Sequence, residues 1–462
     1  MPRHWQVLIV VTAGAFLANL DLFIVNIAFP AIAADFPGVG IAGLSWVLNG
    51  YAIVFAALLV PAGRLADRVG RKRVFMAGLW SFTAASALCA AAPGPWWLVA
   101  ARVAQAVGAA LMIPTSLALL LPEFPPARRP AAVGLWTAGA ALAATMGPTI
   151  GGLLVTASWR WVFLVNIPLG LVTAVAGARI LRESRDPDRG RVPDLLGAAA
   201  LCIGVGALAL AIVEGEGWGW TSPGVLGAAA LAAAALALVV RRSLTHPVPV
   251  VEPSLLRPRV TRAADAGVFL FSMGFFPLLL VTVLFMTDVW GYSVLQAGLA
   301  IAPGPLMVAL LSWPAGVLAA RFGPRLLVLP GVGLFAAGCA WSALTAGTTP
   351  DYLGVMLPAT VLTGIGVALT FPVLAGAAVA GLPPARAATG SALFTMSRQI
   401  GGVVGIASVV AVLAAAGTGL GGFQAGWAFI GAAAIAAGLV ALALPGRRPA
   451  AIAATAVTAP AR

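Results

Sequence analysis

Ionisable residues are rare inside the long apolar runs of this sequence, so those that occur there are the first candidates for chemistry. Asp21 lies fourteen residues beyond the start of the first run, about 21 Å along a helix axis. A carboxylate in apolar surroundings is costly unless it faces a cavity or a partner, and it can hold a proton or a cationic group. Asp21 is the only carboxylate that we place deep inside a run, and we interpret it as a proton-binding or cation-binding residue.

Two arginines occupy similarly apolar positions. Arg102 lies six residues into the fourth run, at a depth similar to that of Asp21, so an ion pair between them is geometrically possible. A role in a substrate cavity and a purely structural pairing both remain open for Arg102. Arg398 and the adjacent Gln399 lie near the middle of the thirteenth run, where a cation is expected to face a cavity or a partner.

Residues 63–73 form a short cationic segment between two apolar runs. Asp67 is an acid among five cations there, which a simple charge bias does not require. A carboxylate in such a loop can cap the N-terminus of a neighbouring helix, while arginines bind acids or the carbonyl ends of helices. We predict that this loop switches contacts when two parts of the protein rock, and its key residues are Gly63, Asp67, Arg68, Gly70, Arg71 and Lys72.

The fifth run is rich in glycine and contains a proline. Glycines allow helices to approach closely, and a proline inside a helix bends its axis. Tight helix packing is therefore expected around four of its residues, which are Gly147, Pro148, Gly151 and Gly152.

The elements that position these residues follow from composition. The chain has 462 residues, of which 61% are apolar and 9% charged, and its mean hydropathy is +1.02. Soluble domains are about 45–50% apolar and about 25% charged, so this chain is expected in a lipid bilayer. Its apolar runs are unbroken, which favours membrane-spanning helices over a β-barrel. Three cysteines stand singly in the runs, without the spacing of a disulfide framework or a metal site.

We predict an all-α integral membrane protein with fourteen transmembrane helices. The predicted runs are 7–29, 43–62, 74–92, 96–118, 132–156, 162–181, 194–213, 223–240, 263–286, 296–319, 325–346, 353–373, 387–414 and 422–444.

The net charge of +13 is distributed by topology and not as a basic face for nucleic acid. Of the 27 Lys and Arg residues, all but Arg102, Arg160 and Arg398 lie at the N-terminus, in the loops after even-numbered runs, or in the C-terminal tail. The positive-inside rule then predicts that both termini are cytoplasmic.

Two internal repeats indicate related halves. Pro-Pro-Ala-Arg occurs at residues 125–128 and again at 383–386, and the glycine-bounded segment 63–70 has a counterpart at 316–323. The offsets, 258 and 253 residues, exceed what six helices need, so the seventh and eighth runs are interpreted as an insertion between two six-helix halves. The predicted organisation is six plus two plus six, with boundaries 1–185, 186–245, 246–446 and a tail at 447–462.

These motifs together resemble the major facilitator superfamily, and specifically its fourteen-helix drug:proton antiporter branch. Residues 20–30, which include Asp21 and Asn26, resemble the first-helix motif of that branch, whose Asp is associated with proton coupling or cation binding. Residues 63–73 resemble the superfamily's loop motif. In the fourth run, the residues that resemble a motif linked to proton transfer are Arg102, Gln105 and Gly108.

Three further motifs extend the resemblance along the chain. The glycines of the fifth run resemble the antiporter motif, which is characteristic of exporters, although Ala143 stands where that motif commonly has Gly. Residues 159–168 and 398–402 resemble two other hallmarks of the branch. The tenth run contains no acid, whereas some multidrug members carry one there for divalent cations. The Arg-rich, Ala-rich and Gly-rich composition is similar to that of self-resistance exporters from antibiotic-producing actinobacteria.

The resemblance implies a multi-pass protein of the bacterial inner membrane that exports small, largely apolar drug-like molecules in exchange for protons. The expected partners are the substrate, protons and the lipid bilayer, without nucleic acid, and we expect a monomer. No cofactor is expected, because the proton gradient would drive transport, and no phosphate-binding loop for ATP is present. Export of a native metabolite such as an amino acid, sugar or siderophore stays open. A membrane-embedded enzyme lacks support, since no nucleophile motif or clustered carboxylates occur in the runs.

Overall fold

The computed structural model describes residues 1–125, 128–185, 193–380, 382, 386–417 and 419–446. Within them the regular secondary structure is helical. Its α-helices are α1 (Arg3–Asp35), α2 (Ile41–Leu44), α3 (Trp46–Val69), α4 (Arg71–Ala90), α5 (Pro95–Leu120), α6 (Arg129–Val155), α7 (Trp161–Leu164), α8 (Asn166–Ile180), α9 (Leu195–Val213), α10 (Gly215–Trp218), α11 (Pro223–Thr245), α12 (Arg259–Asp288), α13 (Val294–Ile301), α14 (Pro303–Phe322), α15 (Pro324–Thr345), α16 (Leu357–Ala380), α17 (Ala387–Ala416) and α18 (Leu420–Ala441).

Short irregular helices complete the description. Two 3₁₀ helices, Leu121–Glu123 and Pro253–Leu256, follow α5 and precede α12, and a π-helical turn, Tyr352–Met356, leads into α16. We refer to α1–α8 as the N-terminal half and to α12–α18 as the C-terminal half.

Thirteen helical stretches in the described part of the chain are long and apolar enough to cross a membrane. They correspond to every predicted run except the fifth, where α6 is a helix of 27 residues at the predicted place. The largest boundary differences are at the second and twelfth runs, which were expected to end at residues 62 and 373, whereas α3 continues to Val69 and α16 to Ala380. A helix can extend past the hydrocarbon because its charged side chains then reach water, which the apolar pattern alone does not report.

Ion pairs mark the two ends of the helix bundle. Arg3 and Glu123 lie 3.1 Å apart where α1 begins and α5 has just ended. At the opposite end, Asp35 accepts hydrogen bonds from Arg160 at 3.0 Å and Trp159 at 2.9 Å. We call these the inner end and the outer end.

The helices between the halves form a hairpin. α9 packs along α11 and also contacts α3 and α17, one helix from each half. Asp194 caps α9 by accepting from the backbone of Gly197 at 2.8 Å, and it also accepts from Arg242 of α11 at 2.6 Å. A capping carboxylate with a cationic partner stabilises both helix ends, so the hairpin is held together where α9 begins.

The halves meet where α3 contacts α17 and, near the outer end, where α6 contacts α13. A Cβ atom at Gly298 would lie 2.6 Å from the carbonyl oxygen of Pro148, and one at Gly152 would lie 3.0 Å from the Cα of Leu295. Side chains larger than hydrogen do not fit at these distances, so the glycines permit the contact. The two halves are therefore joined at the outer end in this conformation.

Candidate functional site

The site is built around a buried ion pair between α1 and α5. Asp21 and Arg102 are both fully buried, and Nη1 of Arg102 donates to the Asp21 carboxylate. Nε of Arg102 donates to the backbone carbonyl of Val47 at 3.2 Å, which fixes the guanidinium against α3. A buried charge needs an opposite charge and hydrogen bonds to be tolerated, and this geometry supplies both. The ion pair that the sequence left open is therefore formed.

Neutral side chains complete the hydrogen bonding of the carboxylate. Gln105 donates to Asp21 at 2.8 Å and to Ser86 at 2.8 Å, and it accepts from Arg102 at 2.5 Å. Asn166, the first residue of α8, donates to the same carboxylate at 3.1 Å. Both oxygens of Asp21 thus have partners, drawn from α5 and α8, so a change in its charge would be felt by several helices.

Aromatic rings cover the arginine. The guanidinium carbon of Arg102 lies 4.1 Å from the ring centroid of Tyr51 and 5.8 Å from that of Phe163. A cation over an aromatic face is stabilised when water is excluded. These rings can hold Arg102 in place whether or not Asp21 is ionised.

A cavity of about 130 Å³, the central cavity, lies between the halves beside this network. Its described lining includes no charged side chain and combines aromatic, aliphatic and hydroxyl residues from α1, α6 and the C-terminal half. Apolar cavities with a few polar groups are typical small-molecule sites, in which the polar groups fix orientation. Representative lining residues are Phe23, Asn26, Phe275, Phe276, Thr282 and Met356.

A small cavity of about 10 Å³ lies between the Asp21–Arg102 pair and the central cavity. Arg102 and Gln399 line it, and it shares Asn26 and Phe276 with the central cavity. A volume of about 10–15 Å³ holds roughly one water molecule. The ion pair is thus separated from the central cavity by a space of that size.

Amide groups with spare hydrogen-bonding capacity face this region. Asn26 donates to the carbonyl of Leu22 at 2.9 Å, but its side-chain oxygen has no partner among the described residues. Neither side-chain atom of Gln399 has one, although the residue is 1% exposed. Buried amides without partners are costly, so both residues are candidates to bind a solute. The structure therefore places Asn26, Gln399, Arg102 and Asp21 in one region.

Arg398 lies apart from the Asp21 network. Its guanidinium carbon is 6.0 Å from the ring centroid of Phe371, and its Nε has no hydrogen-bond partner among the described residues. It forms no ion pair within the part of the chain described. Arg398 and Arg102 therefore differ in their surroundings, although the sequence treated both as buried cations in the middle of a run.

The cationic segment 63–73 is mostly helical and not an open loop. α3 runs through Gly63, Asp67 and Arg68 to Val69, and only Gly70 separates it from α4. A single residue can form the turn between the two helices because Gly70 takes φ +131°, a backbone conformation that residues with side chains rarely adopt.

The helix cap in this segment differs from the prediction. Asp67 does not cap α4 but accepts from Arg71 at 2.9 Å. The cap is Glu183, whose carboxylate accepts from the backbone of Lys72 at 3.0 Å and Arg73 at 3.2 Å. Glu183 comes from the segment after α8 and can reach both N–H groups, whereas Asp67 points along its own helix to the i+4 position.

Lys72 supplies the contact to a helix carbonyl that the sequence predicted for an arginine. Its Nζ donates to the carbonyl of Ala178 in the last turn of α8 at 2.7 Å. A cation there satisfies a free carbonyl and the negative end of the helix. The hydrogen bonds and ion pairs given for this segment all stay within the N-terminal half.

The glycines of the antiporter motif lie at helix contacts. Cβ atoms at Gly147 and Gly151 would lie 2.9 Å from Phe23 and Ile24 of α1, so these glycines pack α6 on α1. Gly152 and Pro148 instead face α13 of the other half. The motif therefore joins the helix that carries Asp21 to the contact between the halves.

The sequence reasoning missed two buried carboxylates: Asp194, which is 2% exposed and paired with Arg242, and Asp265. Asp265 of α12 is 5% exposed, and neither of its oxygens has a partner among the described residues. It was overlooked because it lies at the start of the ninth run, only six residues after Arg259, where an acid is expected to reach water. Asp21 is therefore not the only deeply buried carboxylate. Asn166 lies within the motif at residues 159–168, and its contact with Asp21 could not be inferred from spacing.

Comparisons with known proteins agree with this architecture. Residues 11–406 and 266–460 match the profile of the Major Facilitator Superfamily. The chain is 35% identical over 410 residues to "Multidrug resistance protein Stp" of Mycobacterium tuberculosis, covering 88% of this chain and 75% of that protein. It is 34% identical over 416 residues to "Probable actinorhodin transporter" of Streptomyces coelicolor, covering 88% of this chain and 72% of that protein.

A solved structure supports the fold independently. The crystal structure of a POT family transporter in complex with a thioalcohol-conjugated peptide superposes with a TM-score of 0.68 at 17% identity, covering 96% of each chain. The helical bundle, the family match and these relatives together identify a membrane transporter and not an enzyme. The chain belongs to the Major Facilitator Superfamily, in the branch that contains the multidrug and antibiotic exporters.

Proposed function

We propose that the protein exports small, largely apolar, drug-like or antibiotic molecules in exchange for protons by alternating access. The observation that carries the proposal is the buried Asp21–Arg102 pair beside an apolar cavity between the halves. A proton bound to Asp21 would remove the negative charge that holds Arg102, and the charge balance around the small cavity would change. Proton binding and cavity geometry would then be coupled through two side chains.

The lining of the central cavity favours apolar substrates over sugars or amino acids. Its described residues offer hydroxyl and amide groups but no charge, and three phenylalanines, Phe23, Phe275 and Phe276, contribute to its wall. A sugar or a zwitterion would leave several polar groups without partners in such a site. Asn26 and Gln399 could orient a drug-like molecule by one or two hydrogen bonds.

In the proposed cycle the outer end and the inner end of the helix bundle close in turn. In the present conformation the α6–α13 contact joins the halves at the outer end. Binding of a substrate from the inner side, followed by separation of α6 from α13, would release it outside. Inward proton movement through Asp21 would return the protein to this state, and the segment 63–73 would exchange contacts as the inner end closes.

The proposal includes the topology. Both termini lie in the cytoplasm of a bacterial cell, α6 completes fourteen spans, and the protein acts as a monomer in the inner membrane. The cation-rich inner end and the acidic Asp35 at the outer end support this orientation.

The test is efflux from proteoliposomes with an imposed pH gradient and a panel of neutral and cationic fluorescent dyes. Asp21→Asn keeps the size and most hydrogen bonds of the side chain but cannot bind a proton reversibly. We expect pH-driven efflux to fall at least about tenfold at equal protein levels. Asp288→Asn, at the exposed outer end of α12, is the matched control and should retain efflux. Undiminished pH-driven efflux by Asp21→Asn would contradict the mechanism.

A further inference from the structure

A stripe of unpaired polar groups runs along the inner part of α12. Thr261 is fully buried, Asp265 is 5% exposed and Ser272 is fully buried. The Thr261 hydroxyl, both Asp265 oxygens and the Ser272 hydroxyl have no hydrogen-bond partner among the residues that the structure describes. Buried polar atoms are nearly always hydrogen-bonded, so such a group calls for a functional explanation.

The stripe occupies one face of the helix and leads towards the small cavity. At 3.6 residues per turn, positions 261, 265, 272 and 276 fall within about 60° of arc. Phe276, the last of them, lines both the small cavity and the central cavity. Asp265 lies about 9 Å along α12 from Arg259, so the stripe extends from the inner end to the substrate region.

This face of α12 packs against α17. The backbone carbonyl of Phe269 contacts the position where Gly401 would carry a Cβ, and the Phe276 ring lies 2.7 Å from the same position at Gly402. One turn towards the inner end from these contacts are Asp265 on α12 and Arg398 on α17. The two charged residues are thus neighbours in register, yet the structure gives no ion pair between them.

Few other charged groups surround Asp265. α16, α18 and α13 carry no titratable side chain along their lengths, α17 contributes Arg398, and α12 itself carries Arg259 and Arg262. The remaining titratable groups on neighbouring elements are Arg3, His4, Asp21 and Asp35 of α1 and Glu252, which is paired with Arg386. Asp288 lies at the opposite end of α12. An ionised carboxylate without a counter-charge is far more costly to bury than a neutral carboxyl group.

We propose that Asp265 is a second proton-binding residue, located on the inner part of the C-terminal half and distinct from Asp21. The inference rests on the proposed proton-driven export. In the present conformation one Asp265 oxygen carries a proton, and the proton leaves to water at the inner end when a shift of α12 along α17 brings the carboxylate within reach of Arg398. The ionised carboxylate then pairs with Arg398, whose Nε is free of other partners in the described residues. Thr261 and Ser272 line the route that the proton follows.

An infrared experiment tests the protonation directly and needs no transport. A protonated carboxyl group in apolar surroundings has a C=O stretching band separate from those of amides and carboxylates. We expect the purified wild-type protein at neutral pH to show such a band, which Asp265→Asn removes. The matched controls, Asp288→Asn on the same helix and Asp21→Asn, should retain it. A spectrum of Asp265→Asn identical to that of the wild type would overturn the proposal.

A second measurement tests the contribution to coupling. The pH gradient that just balances a fixed gradient of a dye substrate is measured in proteoliposomes. Asp265→Asn removes one of the two proposed proton sites, so fewer protons contribute free energy for each substrate molecule exported. The pH gradient that balances the dye gradient should therefore be about twice that of the wild type. An unchanged balance point with intact proton-driven export would overturn the second site while leaving the proposed function standing. If wild-type export ignores the gradient, the proposed function fails, and the infrared band alone decides whether Asp265 is protonated.

Discussion

Asp21 in the N-terminal half and Asp265 in the C-terminal half are both buried carboxylates on the first helix of their half. Asp21 receives hydrogen bonds from Arg102, Gln105 and Asn166, so both of its oxygens are occupied. Asp265 has no partner in the described residues. One carboxylate therefore has a counter-charge and hydrogen-bond donors, and the other has neither among the described residues.

The arginines of the two halves repeat the contrast. Arg102 is paired, hydrogen-bonded to a backbone carbonyl and covered by Tyr51. Arg398 lacks an ion pair in the described structure, and its guanidinium carbon lies 6.0 Å from the ring centroid of Phe371. A saturated network resists change, whereas unsaturated groups can take new partners at little cost. Asp21 and Arg102 of the N-terminal half are therefore partnered with each other, whereas Asp265 and Arg398 of the C-terminal half have atoms free to take new partners.

The largest expected effect comes from removing the paired arginine. Arg102→Ala leaves Asp21 buried without its counter-charge, which costs about 3–5 kcal/mol of stability. Arg398→Ala, the matched change in the other half, breaks no ion pair and should cost less than about half as much. Thermal unfolding in detergent, followed by intrinsic fluorescence, compares the two variants.

A double variant separates charge from packing in the first case. Combining Asp21→Asn with Arg102→Ala removes both charges, so much of the lost stability should return even though the cavity left by Arg102 remains. Equal unfolding temperatures for Arg102→Ala and Arg398→Ala would show that the two halves do not differ as described.

An intermediate effect is expected at the contact between the halves. Gly298→Val places carbon atoms within 3 Å of the Pro148 carbonyl, and overpacking of this kind costs about 1–3 kcal/mol. The contact forms only when the outer end is closed, so the variant should populate the outward-open state. A cysteine at Thr282, which lines the central cavity, should then react faster with a membrane-impermeant thiol reagent added outside, in a background with Cys202→Ser.

The control for this variant is Gly316→Val in α14, where a Cβ would meet no atom within 4 Å. Its labelling rate should match that of the parent protein. Slower or unchanged labelling in Gly298→Val would mean that the α6–α13 contact does not govern access to the cavity.

Much of the fold could be predicted because lipid imposes simple rules. Every apolar run coincides with a helix, since a backbone in hydrocarbon must satisfy its own hydrogen bonds. The extra length of α3 could not be predicted, because its last two turns are stabilised outside the apolar region by charged side chains. The number of spans and the orientation remain predictions.

The site was partly predictable for a related reason. Asp21 and Arg102 stand out because a charge in an apolar run is expected to face a cavity or a partner. Asn166 and Ser86 could not be assigned, since polar neutral residues occur in many helices and only the packing of α4 and α8 on α1 brings them together. The capping of α4 by Glu183, where the sequence suggested Asp67, also depends on tertiary contacts, because Glu183 is more than a hundred residues away from α4 in the chain.

The last comparison, which includes the smallest expected effect, concerns the glycines that end the repeated segment in each half. Gly70 and Gly323 both have positive φ, +131° and +93°, so an alanine at either position costs about 1–3 kcal/mol. Their neighbours differ: a Cβ at Gly70 would lie 2.6 Å from the Glu183 carboxylate, whereas one at Gly323 would lie 2.8 Å from the backbone carbonyl of Gly446.

A flexible side chain can move aside and a backbone cannot, so Gly323→Ala should lower the unfolding temperature more than Gly70→Ala. Gly70→Ala has a second consequence, because displacing Glu183 removes the cap of α4, worth about 0.3–1 kcal/mol at an exposed helix start. Glu183→Gln removes only the negative charge of the cap, so it should lower the stability by the smaller amount that the cap contributes. That decrease in stability should become smaller as salt is added. Gly94→Ala, at a position where a Cβ meets nothing and φ is negative, is the control. A contrary result would be that Gly70→Ala lowers the unfolding temperature more than Gly323→Ala does, by an amount that Glu183→Gln does not explain. Contacts other than the Glu183 cap would then hold segment 63–73.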